Sequence, residues 1–143
     1  MGLDAVVYKN RTKLALDPER AGLQLDKRTG EWYSEIDEIP EAIREVGIEA
    51  LHKRLGNATL VATLANETKS YMPMDSVLLS RILFSGSQAG YAIPTEEVDS
   101  LKQEVIVLRN NSSQVSSELA RFLNDLDELI AAAQENDNPI VFV

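Results

Sequence analysis

The order of apolar and polar positions predicts short strands in the first part of the chain and longer helices in the second. Leu3 to Tyr8 alternates at first and then becomes fully apolar, which is typical of a strand covered on at least one face. Two shorter segments, 13–16 (KLAL) and 22–25 (GLQL), are further strand candidates.

A hairpin is predicted after these strand candidates. The DPER segment, 17–20, lies between the two shorter strand candidates and carries proline at its second position, as a type I turn favours. Gly30 stands where a hairpin turn requires a positive φ angle. The pattern therefore predicts a small antiparallel arrangement that ends in Trp32 and Tyr33.

Two neighbouring segments in the middle of the chain are predicted to form one helix and one strand. Residues 38–57 form the predicted helix, since Pro40 suits its first turn and Gly56 and Asn57 would end it. The apolar face of this helix would consist of Ile43, Val46, Ala50, Leu51 and Leu55. Residues 59–66 (TLVATLAN) are rich in β-forming residues and predict a central strand.

The segment 74–86 (MDSVLLSRILFSG) is predicted to be a short helix, with a strand as the alternative. In the helical interpretation Asp75 is the N-cap and Gly86 lies just beyond the end. The residues turned inward would be Val77, Leu78 and Ile82.

An antiparallel pair of helices is predicted from residue 95 onward. Thr95 can cap the first helix, and the NNSSQ segment at 110–114 separates it from the second. Helical spacing relates Val98, Leu101, Val105 and Leu108 in the first, and Val115, Leu119, Phe122, Leu126, Leu129 and Ala133 in the second. The apolar residues after Pro139 predict a C-terminal strand.

These elements predict one α+β domain that comprises residues 1–143. Its mixed or antiparallel sheet would contain the N-terminal strands, Thr59 to Asn66 and the C-terminal tail, packed against three or four helices. No internal repeat or interdomain linker interrupts the pattern.

The composition excludes some kinds of chemistry and indicates the compartment in which the protein is expected. The chain of 143 residues has no cysteine, which excludes disulfides, thiolate metal sites and cysteine nucleophiles. Neither a secretory signal nor a membrane-spanning apolar run is present. A reducing, cytoplasmic location without membrane contact is therefore expected.

The net charge of −9 argues against nucleic acid as a partner, because affinity for phosphate backbones comes from lysine and arginine. Acidic residues concentrate in two blocks, Glu31 to Glu49 and Pro94 to Val143. Such blocks suit a basic protein partner, or they serve only as solvated surface that keeps the protein in solution.

No catalytic residue, metal ligand set or cofactor motif is recognised. His52 is the only histidine, so a histidine metal cluster is excluded by number. The glycines and serines after Leu83 have the wrong spacing for a nucleophile elbow, and no lysine follows them as in a phosphate loop. We therefore expect a noncatalytic protein without a cofactor or a metal.

Two places remain as candidate binding sites. The loop from 85 to 91 offers groups that could orient a small ligand or an anion, or could only turn the chain into the next helix. Its candidate residues are Ser85, Ser87, Gln88, Gly90 and Tyr91. Trp32 and Tyr33 could anchor an interface beside the first acidic block or lie at the edge of the core.

The N-terminal sequence and the central loop resemble those of known families. Met1-Gly2-Leu3-Asp4 before an apolar strand resembles the start of small bacterial and phage proteins of unassigned function, in which a loop like Ser85-Gly86-Ser87 with Gly90-Tyr91 recurs. Some of these resemble the immunity proteins of polymorphic toxins. The resemblance implies an acidic, cytoplasmic protein that docks a basic partner; the alternative is a small-ligand binder or an unfamiliar enzyme that uses the 85–91 loop.

Overall fold

A four-stranded antiparallel sheet and three α-helices form the computed structural model, which describes residues 2–34, 47–84, 88–111 and 114–143. In chain order the elements are β1 (Gly2–Tyr8), β2 (Gln24–Leu25), β3 (Trp32–Tyr33), β4 (Glu49–Asn57), α1 (Ala58–Thr68), β5 (Ala92–Ile93), α2 (Thr95–Asn110), α3 (Ser117–Asn136) and β6 (Ile140–Phe142). The strands of the main sheet lie in the order β4, β1, β6, β5, and β2 pairs with β3 separately. The predicted α+β class and the C-terminal strand are thereby confirmed.

Strand β1 is apolar from Ala5 to Tyr8, where both of its faces are covered. Ala5 and Val7 belong to the main core, which includes residues of all three helices. Val6 and Tyr8, on the other face, belong to a second apolar cluster with Trp32 of the hairpin. Alternate residues of a strand point to opposite faces, so one strand serves both cores.

The segment predicted as the first helix contains strand β4. Residues 38–46 of that prediction lie outside the described residues, whereas 49–57 pair antiparallel with β1, with His52 opposite Val6. Leu51 and Leu55 pack against the main core, while His52 and Arg54 between them are exposed. This alternation has the period of a strand, and β1 requires an apolar partner along its edge.

The segment predicted as a central strand, Thr59 to Asn66, is instead most of helix α1. Its buried residues Val61, Leu64, Ala65 and Thr68 recur at spacings of three and four. The Asn57 side chain accepts a hydrogen bond from the amide of Leu60 at 2.8 Å and fixes the first turn. Burial of this face and the cap together outweigh the β preference of threonine and valine.

The strand predicted at 13–16 is absent from the structure. Arg11–Lys13 form a 3₁₀ turn that the Asn10 side chain caps by accepting from the amide of Thr12. Leu14 packs against the second apolar cluster, but Leu16 is exposed, so this segment does not bury its apolar residues on one strand face. The neighbouring hairpin prediction is confirmed, with Gly30 at a φ angle of 77°.

A single π-helical turn, Leu78–Ile82, takes the place of the short helix predicted at 74–86. Leu78 and Ile82 are buried as expected. Asp75 is not the N-cap, which is Val77; the Ser76 hydroxyl accepts a hydrogen bond from the amide of Leu79 at 3.2 Å. Gly86, the predicted end of the helix, lies outside the described residues.

Helices α2 and α3 confirm the predicted antiparallel pair. The expected inward residues of both helices are buried, except Val115, which precedes α3 and is partly buried. The Arg109 side chain binds Asp127 and Asn124 and so ties α2 to α3. Pro94 occupies the N-cap position predicted for Thr95, which is instead the first helical residue.

None of the helices in the described ranges combines the length and the hydropathy that a membrane crossing requires.

Candidate functional site

A largely apolar pocket of about 710 Å³ lies beside helix α1. We call it the α1 pocket. Its described lining comes from four parts of the chain: the start of β1, α1 with the residue that follows it, residues within 74–84 and 88–89, and Val143. The lining residues are Gly2, Leu3, Ala58, Val61, Ala62, Ala65, Asn66, Lys69, Met74, Leu79, Leu83, Phe84, Gln88, Ala89 and Val143.

Helix α1 supplies one wall of the pocket along its whole length. The α1 lining residues recur at helical spacing and so share one face of the helix: Ala58, Val61, Ala62, Ala65, Asn66 and Lys69. Three of them are alanines, whose side chains end at Cβ and leave space beside the helix. The wall is apolar from residue 58 to 65 and polar at its end.

The opposite wall is formed around the π-helical turn. Leu79 and Leu83 contribute apolar surface to the lining, and Gln88 contributes a polar side chain. The Gln88 side-chain amide donates hydrogen bonds to the carbonyls of Ile82 at 2.9 Å and Phe84 at 3.0 Å. Gln88 therefore fixes the backbone around the turn and also lines the pocket.

Some apolar side chains at the pocket are exposed to solvent. Met74 and Val143 line the pocket and are 65% and 51% exposed. Tyr91 is 60% exposed, and its ring meets the pocket-lining ring of Phe84 edge to face, with the centroids 6.0 Å apart. Apolar side chains that are exposed together on a surface can contribute to binding.

Lys69 is the one charged side chain among the described lining residues. Within the described ranges no carboxylate forms an ion pair with it. By contrast, Lys53 binds Glu128 at 2.6 Å and Lys13 binds Glu135 at 2.5 Å. Lys69 is thus a cation at the edge of an apolar pocket that remains available to a ligand.

The structure brings part of the predicted loop site to this pocket. Gln88 lines it, and Tyr91 reaches it through Phe84. Gly90 forms part of a turn: its φ angle is 88°, and its amide donates a hydrogen bond to the carbonyl of Phe142 at 2.9 Å. Ser85 and Ser87 lie outside the described residues.

The predicted aromatic pair lies on the opposite face of the sheet. Trp32 is 5% exposed and belongs to the second apolar cluster, where its indole N–H has no hydrogen-bond partner among the described residues. Tyr33 is exposed, and its hydroxyl donates to Gln24 at 3.2 Å. The structure therefore separates Trp32 and Tyr33 from the α1 pocket.

Carboxylates gather around Tyr8 beneath the hairpin. Burial, followed by the charges of Glu31 and Glu49, raises the pKa of Tyr8 to about 12. Burial and the nearby Asp26 charge also raise the pKa of Glu31, although its hydrogen bond with Tyr8 opposes that shift. Within the described ranges, no group of three or more acidic or histidine side chains is arranged to hold a metal ion.

His52 lies on the exposed side of strand β4 between two carboxylates. Its Nε2 is 3.5 Å from Asp4, and its Nδ1 is 3.6 Å from Glu49. No serine, threonine or tyrosine hydroxyl among the described residues hydrogen bonds to it, so none of those hydroxyls is placed for His52 to activate as a nucleophile.

The residues of the α1 wall were missed because segment 59–66 was predicted as a strand. The signal that could have found them is the cap at Asn57 followed by apolar residues at helical spacing, beginning with Val61 and Leu64. That pattern would have placed Ala58, Ala62 and Lys69 near one face of a helix.

The fold and the pocket together define an α+β protein with an open, largely apolar pocket. No family model matches the chain, and neither a curated protein nor a solved structure is significantly similar to it. The function therefore has to be argued from the chemistry of the pocket itself.

Proposed function

We propose that the protein is a noncatalytic binding protein that holds a small, largely apolar ligand in the α1 pocket. The pocket itself is the observation that carries this proposal: its volume of about 710 Å³ suits a small molecule, and its lining is mostly apolar. The few polar lining side chains, Asn66, Lys69 and Gln88, are of the kind that orient a ligand.

The first test uses uncharged probes of increasing chain length. If the pocket takes apolar ligands, the affinity for straight-chain alcohols rises with length, because each buried methylene contributes about 0.8 kcal/mol, or roughly fourfold in affinity. Titration calorimetry with hexanol, octanol and decanol measures this rise. Equal affinities along the series would contradict apolar burial.

A variant that fills the pocket assigns the binding to it. Ala62 lines the pocket and is exposed, so Ala62→Trp can occupy the space without disturbing the buried core. We expect this change to weaken decanol binding at least tenfold. The matched control is Ala131→Trp, on an exposed position of α3 outside the pocket, which should leave binding unchanged. If both variants bind decanol as the unchanged protein does, the proposal fails.

Docking of a basic protein, as in an immunity-type complex, is a second candidate. The net charge of −9 favours it, as do exposed carboxylates of α2, of α3 and of the residue after α3 that pair with no cation of the described residues. Examples are Glu96, Glu118 and Asp137. Attraction between opposite charges would accelerate association with a basic partner.

Salt dependence and neutralisation test the second candidate. A basic protein that co-purifies at about 0.05 M salt should dissociate at about 0.5 M, because salt screens exposed charges. Changing Glu96 and Glu118 to Gln and Asp137 to Asn should reduce the amount recovered. Recovery that is insensitive to salt and to these changes would contradict charge-driven docking.

A further inference from the structure

We propose that the ligand of the α1 pocket is a linear aliphatic carboxylate, with its chain along α1 and its carboxylate against Lys69. This inference rests on the proposed function of the pocket and adds the chemical class of the ligand. It is argued from three properties of the lining: its length, the position of its polar end, and its charge.

The α1 wall has the shape that an extended chain requires. From Ala58 to Lys69 the helix rises about 16 Å, at 1.5 Å per residue. The residues that line the first part of this length are apolar, from Ala58 to Ala65, whereas Asn66 and Lys69 are polar. A ligand that lies along the wall therefore meets apolar surface along its length and polar groups at one end.

The charge at that end selects an anion. Lys69 is the lining cation, and within the described residues it has no carboxylate partner. The polar side chain of the opposite wall, Gln88, is uncharged. In a protein with a net charge of −9, a single available cation beside an apolar pocket complements an apolar ligand with one negative charge.

Backbone amides occupy the carbonyls of Ala65, Glu67 and Thr68 at the end of α1, which weakens their repulsion of such a head group. The Lys69 amide donates to the carbonyl of Ala65, and the amides of Tyr71 and Met72 donate to that of Thr68. These bonds satisfy acceptors that would otherwise face the ligand at the negative end of the helix dipole.

A carboxylate fits the donors better than a phosphate group does. Lys69 supplies one ammonium and Asn66 one amide, and the described lining contains no arginine. Phosphate sites usually add an arginine fork or several converging backbone amides, whereas a singly charged carboxylate needs fewer donors. The lining therefore favours the singly charged head group.

The test compares two ligands with the same chain, decanoate and decanol, by titration calorimetry at neutral pH, where the carboxylate is ionised. The unchanged protein should bind decanoate about twofold to fivefold more tightly than decanol, the range that an exposed ion pair supplies. Lys69→Gln should remove this preference by lowering the affinity for decanoate more than the affinity for decanol, and Lys69→Arg should retain it.

The control separates the ion pair from general effects of charge and helix stability. Lys102→Gln removes an exposed lysine of α2 that forms no ion pair within the described residues, and it should retain the preference for decanoate. A Lys69→Gln variant that loses affinity for both ligands equally would show a structural role for Lys69, as a partner of the helix dipole, and would overturn the inference.

The outcomes also distinguish this inference from the function on which it rests. Equal affinities for decanoate and decanol in the unchanged protein overturn the carboxylate assignment and leave the apolar pocket in place. Binding of neither ligand overturns both proposals.

Discussion

The environment of Tyr8 differs strongly from that of a tyrosine in water. Its ring is buried beneath the hairpin, and its hydroxyl hydrogen bonds to Glu31, with further negative charge from Glu49 and Asp26. Burial and these charges both oppose ionisation, and they raise the pKa of Tyr8 to about 12. The folded protein therefore keeps a proton that the unfolded chain releases near pH 10.

This difference predicts a loss of stability in alkali. The stabilisation from neutral Tyr8 is fully present below pH 10 and disappears as the pH rises to about 12, at about 1.4 kcal/mol per pH unit. The Tyr8→Phe variant has no hydroxyl to ionise at this position, so it cannot lose this stabilisation. Its free energy of unfolding should therefore fall less steeply between pH 10 and 12. Urea denaturation at a series of pH values measures the two slopes.

Tyr33→Phe is the matched control, because Tyr33 is an exposed tyrosine of the hairpin that covers Tyr8. We expect this variant to retain the alkaline slope of the unchanged protein. Equal slopes for Tyr8→Phe and the unchanged protein would contradict the assignment of the effect to Tyr8.

At the level of single residues, the sequence predicted part of the candidate site and missed the rest. Gln88 and Tyr91 were predicted from a loop rich in small residues, and both lie at the α1 pocket or beside it. Lys69 was missed, because its role as a cation of the α1 pocket depends on its having no carboxylate partner among the described residues. Ion pairing of side chains far apart in the sequence is a property of tertiary structure.

Between elements, Glu104 connects α2 to the π-helical turn Leu78–Ile82. Its two carboxylate oxygens accept hydrogen bonds from the amides of Val77 at 2.8 Å and Leu78 at 2.9 Å. These amides begin the turn and have no acceptor within it, so a side chain from another helix acts as the cap. The same turn carries Leu79, which lines the α1 pocket.

Removing this carboxylate should destabilise the protein. Glu104→Ala leaves both amides without their acceptor and should lower the free energy of unfolding by about 2 kcal/mol, while Glu104→Gln, which keeps one acceptor, should cost about 1 kcal/mol. Urea denaturation measures both, with Gln103→Ala on the exposed side of α2 as the control. An unchanged stability in Glu104→Ala would mean that water replaces the carboxylate at no cost.

The two wrong elements illustrate the limit of local patterns. Segments 49–57 and 59–66 lie close together in the sequence, and their helix and strand assignments were interchanged. Short apolar runs do not distinguish the two structures by periodicity alone. Segment 49–57 forms a strand because it pairs with the edge of β1, and segment 59–66 forms a helix that the Asn57 side chain caps. Of these two interactions, only the cap is visible in the sequence.

At the scale of the whole molecule, the sequence predicted the fold class, the pair α2 and α3, and strand β6. Those features follow from long periodic segments and from an apolar chain end. The α1 pocket could not be predicted in the same way, because its walls come from parts of the chain as distant as Gly2, Lys69 and Val143. A cavity of this kind exists only once these parts have packed together.

The position of β6 between β1 and β5 also determines when the main sheet can be completed during synthesis. Val6 pairs with Val141, so β1 gains this neighbour only after about 135 further residues have been added to the nascent chain. At 5–20 residues per second this interval lasts roughly 7 to 27 s. Throughout it the β6 edge of β1 is unpaired and open to pairing with another strand. A contact between residues so distant in sequence also slows the search for the native topology.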